Sequence, residues 1–326
     1  MKNLWVENVL MMFGKPSSAM KPEDYSPGAL AIHDEKRANR SYYNQKRIEL
    51  KEKHSQSHKW KIRRWSFLIF VNLLFVASYR FDVQILEGAL TGSRLIGFHL
   101  IDLNSALQVM LAHKHIIINL LIGTATIGAF WLLMGGRTFC SWVCPYHFLS
   151  EWAEKLHLYL FLKKGIARNI KFSRKTRTFI YILFAALAYF SGYTVYETIS
   201  PTGIVSRALI YGPGVGLVWI ALLLLFEIFF SRRAWCRYLC PVGLTYGIVG
   251  SVSPVRVTYD LRKCFHEGDC RKVCLVPHAL DVVLMRRAPR EKVAIGPDCT
   301  RCGMCIDVCP SGALQFEVKG LKKLIE

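Results

Sequence analysis

The run Cys299-Thr-Arg-Cys302-Gly-Met-Cys305-Ile-Asp-Val-Cys309-Pro310 reads CxxCxxCxxxCP with no insertion or gap. In such a run three thiolates on one tight loop hold three corners of a cubane. The fourth, followed by proline, leaves on a short helix and ligates the other cluster of a pair. The spacing is an iron–sulfur signature, with a tetrahedral zinc site the alternative that CxxC pairs also allow. A second motif, and with it a second cluster, is implied.

That second motif lies upstream and is irregular. In Cys264-Phe-His-Glu267-Gly-Asp-Cys270-Arg-Lys-Val-Cys274 the first, third and fourth cysteines are kept, Glu267 stands at the second position, and proline is displaced to Pro277. By the crossed-ligand rule Cys299, Cys302 and Cys305 join Cys274 on an ordinary cluster, which leaves Cys264, Cys270 and Cys309 for the other. Glu267, or less readily His266 or Asp269, then supplies an oxygen or nitrogen ligand. The alternatives are a three-iron cluster, an open position, or a degenerate and empty site. Val255–Tyr259 and Leu314–Val318 are predicted to pair as antiparallel strands around both motifs. Residues 255–326 would thus form a small α+β ferredoxin-like domain that draws folding energy from its clusters.

The remainder of the chain is apolar and basic at once. Hydrophobic residues make up 52% and the formal net charge is +20, a pairing that suits a polytopic membrane protein whose cations meet anionic lipid on one side. Nucleic acid is set aside as a partner, because no recognised fold for it accompanies these apolar runs. Four segments read as membrane spans: Trp65–Ala77, Ile116–Met134, Phe179–Tyr193 and Val215–Phe230. Lys and Arg are dense before the first, between the second and third and after the fourth, so both termini and the middle loop are expected in the cytoplasm. All eleven cysteines fall on that side, where thiols stay reduced and are available to metal. The expectation is thus an α-helical integral protein of the bacterial inner membrane, crossing several times, with a helical domain over residues 65–254.

Residues 1–64 form a basic N-terminal segment. Met1–Met12 lacks the basic and then apolar pattern of a cleavable signal peptide. From His33 to Arg64 there are eleven Lys or Arg against four Asp or Glu, which reads as a solvated helix near anionic headgroups.

A repeat links the two halves of the chain. Arg137-Thr-Phe-Cys140-Ser-Trp-Val-Cys144-Pro145 follows the second span, and Arg233-Ala-Trp-Cys236-Arg-Tyr-Leu-Cys240-Pro241 follows the fourth. Residues four apart share a helix face, so each element presents two sulfurs in one direction and the pair of elements offers four. Such a set suits tetrahedral iron or zinc, or a cubane held at the membrane surface. Dithiols that cycle through disulfides, and buried cysteines acting as small apolar residues, are the alternatives.

With these features together the chain resembles the NapH and MauN group of membrane ferredoxin-type proteins over residues 60 to 320, and more broadly the NosR C-terminal region and the CcoG polyferredoxins. The resemblance carries over to Cys140, Cys144, Cys236 and Cys240 and to Cys299, Cys302, Cys305 and Cys309; Glu267 departs from the regular pattern. It implies four transmembrane helices as two repeated pairs and a quinol-linked electron-transfer subunit with iron–sulfur or haem partner subunits. In the NapH case electrons pass from the quinol pool to a periplasmic reductase. An assembly factor that reduces a metal or thiol for a partner metalloenzyme, as the CcoG likeness suggests, is the competing expectation. Quinol oxidation needs a proton acceptor beside an apolar pocket. His99, Asp102, His113 and His115, with Glu197 and Arg207 in the opposite loop, are the candidates.

Overall fold

The computed structural model describes residues 4–15, 21–53, 57–82, 86–95, 98–170 and 172–320. The chain opens with α1 (Leu4–Met12), a 3₁₀ turn at Pro22–Asp24, α2 (Pro27–Ala38) and α3 (Arg40–Lys53). Ser26 caps α2 by accepting from the Ala29 N–H, and Pro27 occupies the first turn, where its missing donor costs nothing.

Helix α4 (Lys59–Arg80) covers the first expected span, and its 22 residues rise about 33 Å, enough for about 30 Å of hydrocarbon. The other three segments are also helical: α6 (Ile118–Met134), α9 (Lys175–Ser191) and α12 (Gly216–Phe229). Of the helices among the described residues, α4 alone is long and apolar enough to cross a membrane unaided; α6 and α12 are apolar but shorter. Large apolar side chains face outward, among them Phe70 and Leu73 on α4, Ile118 on α6, Phe179 and Phe190 on α9 and Leu222 on α12.

Between α4 and α6 the sequence offered only a polar section. The structure has an antiparallel three-stranded sheet there, β1 (Leu86–Ala89), β2 (Gly92–Leu95) and β3 (Phe98–Ile101), followed by α5 (Leu103–His113). Asp102 starts α5 by accepting from the Asn104 and Ser105 N–H groups.

Each CxxxCP element is a short helical turn that stops at its second cysteine, where proline opens a new helix. Thr138–Trp142 (α7) leads to α8 (Pro145–Tyr159), and a π turn at Trp235–Leu239 leads to a further helix, Pro241–Ser251. Cys144 and Cys240 are the N-cap residues, and proline presets φ at the first helical position. Between α9 and α12, α10 (Val195–Ile199) and α11 (Pro201–Tyr211) fold inward; Pro241–Ser251 is α13.

The last domain follows with β4 (Val255–Asp260), α14 (Asp269–Val273), a 3₁₀ segment at Pro277–Val283, β5 (Lys292–Ala294), α15 (Met304–Asp307) and β6 (Leu314–Val318). The sheet order is β5-β4-β6, and β4 pairs antiparallel with β6 from Val255↔Val318 to Tyr259↔Leu314. This is the pairing expected from sequence; β5 was not foreseen.

Two cores result. Val257, Tyr259, Leu261, Leu280 and Leu314 pack with the cysteines of the last domain, and Trp131, Phe139, Tyr146, Tyr196, Trp235 and Tyr246 pack beside the CxxxCP cysteines. Buried carboxylates inside the helical part find donors. Arg64 donates to Glu151 at 2.5 Å and Ser150 to Glu227 at 2.6 Å, as a charged group in a water-poor interior requires.

Helix α2 departs from the expectation of a solvated helix, while α3 buries no residue. Lys36 is 3% exposed and its ammonium donates to the carbonyls of Leu261 and Cys264, each at 2.5 Å, while His33 bonds the Ala288 carbonyl. The amphipathic Lys stem makes burial tolerable once its head finds carbonyls. Arg137, Arg177 and Arg233, counted in sequence among surface cations, are also interior, because carboxylates reach them.

Candidate functional site

The two cluster loops have one backbone design. Two residues after the first cysteine of each, Arg301 and His266 have φ of +51° and +57°, and their N–H groups donate to Cys299 Sγ at 3.4 Å and Cys264 Sγ at 3.3 Å. Two residues further, Gly303 and Gly268 have φ of +75° and +82°, a region glycine enters without a Cβ penalty. Short helices α15 and α14 then begin. Glu267 therefore stands in the irregular loop where Cys302 stands in the regular one.

The cysteines of the last domain gather in two neighbouring places, with Cys274 within electrostatic reach of Cys302 and Cys299. Cys305 lies within electrostatic reach of Cys302, Cys274 and Cys299. Cys264, Cys270 and Cys309 line a second cavity together with Glu267, Tyr259 and Asp269. Oε1 of Glu267 is buried without a hydrogen-bond partner, a state a polar atom occupies at a cost unless a ligand completes it. The other two candidates are engaged: the His266 ring bonds the Val283 carbonyl at 2.9 Å, and Asp269 pairs with Lys51 and Lys272. Burial pushes the Cys264 thiol up to about 11 and Cys270 up to about 12, so these sulfurs become thiolates at neutral pH only when a metal displaces the proton. The donor set of three sulfurs and one bare carboxylate oxygen fits an iron–sulfur group.

The CxxxCP cysteines form a third set. Cys140, Cys144, Cys236 and Cys240 line one chamber with Arg137, Arg233, Arg237, His147 and Thr202. Burial pushes Cys140 up to about 12 and Cys144 up to about 11. Arg137 and Arg233 each stand three residues before the first cysteine of their element, 2% and 1% exposed, and each meets a carboxylate, Asp298 or Glu154. Three guanidinium groups beside four sulfurs supply the positive charge that a thiolate cluster needs in a low dielectric.

Among the described residues no three His, Cys, Asp or Glu side chains close to the spacing of ligands on one ion.

The chamber and the regular cluster loop are bolted together. Arg137 donates to the Asp298 carboxylate, Ser141 to the Thr300 carbonyl at 2.7 Å, Trp142 to the Arg301 carbonyl at 3.2 Å, and Arg237 to the Leu275 carbonyl at 3.1 Å beside Cys274. Leu275, Val276 and Thr300 form part of the chamber wall. On the far side Cys305 is within reach of Cys270 in the irregular set. The three sets thus follow one another, chamber, regular set, irregular set.

From the opposite direction α10 and α11 reach the chamber. Thr202 Oγ1 lies 3.1 Å from Cys144 Sγ, and the Tyr196 hydroxyl lies 4.0 Å from Cys240 Sγ. Of the proposed quinol-site residues, the structure joins Asp102 to Glu197 through Ser105 and brings Arg207 to the Glu197 carbonyl at 3.1 Å. His99 bonds Arg94 on the outer sheet and His113 and His115 are exposed, all apart from the chamber. Sequence reasoning missed Lys36, Tyr196, Thr202 and Tyr246, for which no local pattern exists; the repeated arginine of the CxxxCP elements was a usable signal.

A family model described as a 4Fe-4S binding domain matches residues 116–169 and 212–258, each an apolar helix with its CxxxCP element, and another of the same description matches residues 297–315. Fold and site together define an iron–sulfur electron-transfer protein of ferredoxin type. The methylamine utilization ferredoxin-type protein MauN of Methylorubrum extorquens is 33% identical over 270 residues, 81% of this chain and 91% of that protein. The ferredoxin-type protein NapH is 32% identical over 250 residues in Haemophilus influenzae, 76% of this chain and 85% of that protein, and 32% over 259 residues in Escherichia coli, 78% and 88%. The chain belongs to the NapH and MauN family of ferredoxin-type proteins. No solved structure matches it.

Proposed function

We propose that this chain is a membrane-embedded electron relay that takes electrons from quinol and hands them, through its cysteine-held iron–sulfur groups, to partner redox subunits. When bound, these groups supply one-electron steps; the protein supplies their ligands, charge and spacing. In this reading α4, α6, α9 and α12 cross the inner membrane with both termini cytoplasmic, the shorter helices completed by α5, α10 and α11 from the outer side. Outward-facing Phe70, Ile118, Phe179 and Leu222 support it, because lipid is the solvent such side chains accept.

The observation that carries the reading is the continuous sequence of cysteine sets, with the regular loop fastened to the chamber by Arg137, Ser141 and Arg237. Cys140, Cys144, Cys236 and Cys240 would hold one group; Cys274, Cys299, Cys302 and Cys305 a second; Cys264, Cys270, Cys309 and Glu267 a third. An apolar groove between α4, α8, α11 and α12, lined by Leu68, Asn72, Leu73, Pro145, Leu149 and Leu217, reaches Pro145, the residue after Cys144, and suits a lipophilic quinol ring.

The test is anaerobic addition of a quinol analogue to the purified protein with full iron and sulfide content, followed by EPR. Reduced-cluster signals are expected. Clusters that stay oxidised would sink the direct relay and leave the maturation role as the better reading.

A further inference from the structure

Two carboxylates far apart in sequence stand on one hydrogen-bonded line. Tyr246 donates to Asp102 Oδ1 at 2.7 Å, Asp102 Oδ2 lies 3.5 Å from the Ser105 hydroxyl, and that hydroxyl donates to Glu197 Oε1. Tyr246, Asp102 and Ser105 are buried; Glu197, on α10, is partly exposed. At the inner end the Tyr246 ring stacks on Phe139 with centroids 4.7 Å apart, and Phe139 precedes Cys140. The line therefore runs from the chamber wall to the outer loop.

Helix capping does not account for it. Capping engages Oδ2 of Asp102, through the Asn104 and Ser105 N–H groups, and Asn or Ser would cap α5 as well. The remaining oxygen faces Tyr246, and among the described residues Asp102 has no ion-pair partner. Its titratable surroundings are Tyr246 from α13 and Glu197 from α10, with Arg207 of α11 beyond and Cys140 of α7 behind Tyr246. Burial, followed by the nearby Glu197 charge, outweighs the Tyr246 bond and pushes Asp102 up to about 6. The group is poised to change charge near neutral pH.

A charge added to a buried chamber is costly in a low dielectric unless a counter-charge arrives with it. We propose that Asp102 is the redox-linked proton acceptor of the four-cysteine chamber, loaded and unloaded through Ser105 and Glu197 from the outer loop. The inference rests on the reading of the chamber as a redox centre. As one electron passes from quinol to the chamber, the quinol is oxidised by one electron, releasing a proton to water, and the chamber's iron–sulfur group is reduced by one. One proton from outer water forms the O–H bond of Asp102. When the electron leaves, that bond breaks and the proton returns along the same line.

Redox-difference infrared spectroscopy on the full-length, cluster-loaded protein in lipid nanodiscs tests this. A protonated-carboxyl band is expected to appear on reduction, to shift in D₂O, to vanish in Asp102→Asn, and to return at an altered frequency in Asp102→Glu. The chamber's midpoint potential should depend on pH in the native chain and lose that dependence in Asp102→Asn. Glu197→Gln, at a partly exposed position that leaves the α5 cap untouched, should retain the band but slow its appearance. An unchanged band and pH dependence in Asp102→Asn overturns the proposal. If Cys140→Ser with Cys236→Ser leaves every redox signal in place, the redox reading of the chamber falls, and the inference with it.

Discussion

Arg137 donates to both the backbone carbonyl of Asp298 at 2.8 Å and its carboxylate at 2.6 Å, so the residue three before Cys140 is fastened to the residue just before Cys299. Arg177 and His278 reach the same carboxylate at 3.0 and 2.6 Å. One buried anion thus ties the start of α7 and helix α9 to the ferredoxin-like domain.

Asp298→Asn should therefore cost about 3–5 kcal/mol, since it leaves two guanidinium groups buried without their counter-ion. Burial alone would raise the carboxyl's pKa, but Arg177 and Arg137, with His278, outweigh it and hold it below the ordinary range. A depressed carboxylate contributes stability above its unfolded pKa of about 3.9, lost as pH falls through the folded value. Detergent-solubilised native protein should lose stability below about pH 4, and the variant should show a weaker dependence there; identical acid profiles in thermal melts would count against the tie.

Glu267→Cys should restore a four-thiolate set, leaving iron and sulfide content at the full value but changing the EPR signature of the cluster at Cys264, Cys270 and Cys309. Glu267→Ala should lose iron from that cluster toward a three-iron form. Unaltered spectra and stoichiometry in both would show that the carboxylate is no ligand.

Lys36 donates to the Cys264 carbonyl and places a buried positive charge beside the irregular set. Lys36→Gln should lower that cluster's midpoint potential, because a nearby cation favours the more negative, reduced form. It should also cost about 2 kcal/mol through two lost charge-assisted hydrogen bonds. A redox titration that cannot tell the variant from the native chain would reject the electrostatic role.

Cys140→Ser combined with Cys236→Ser should remove iron in proportion to one cluster while the signals of the other two persist. Loss of no iron would leave the four sulfurs as dithiols or packing residues.

Much of this site could be read from spacing. The regular loop, the Glu267 irregularity and the CxxxCP repeat are local patterns, and the β4–β6 pairing follows from alternating residues that flank them. What escaped was long-range. Nothing in a charged N-terminal run marks Lys36 as buried, because its partners are backbone carbonyls 225 and 228 residues away. Asp102 and Tyr246 are separated by 144 residues, and the loop holding Thr202 reads as an outer connection until it is seen to fold back against Cys144. Arg137 and Arg233 count as surface cations until Asp298 and Glu154 are found beside them.

The most direct test of the relay follows electron arrival in the native chain and in the chamber variant side by side. With the protein loaded and reconstituted in lipid, a quinol analogue should reduce the clusters of the ferredoxin-like domain in the native chain, as read by rapid-freeze EPR. In Cys140→Ser with Cys236→Ser those clusters should not be reduced by quinol yet remain reducible by dithionite. Equal rates of quinol reduction in the two proteins would contradict a path through the chamber.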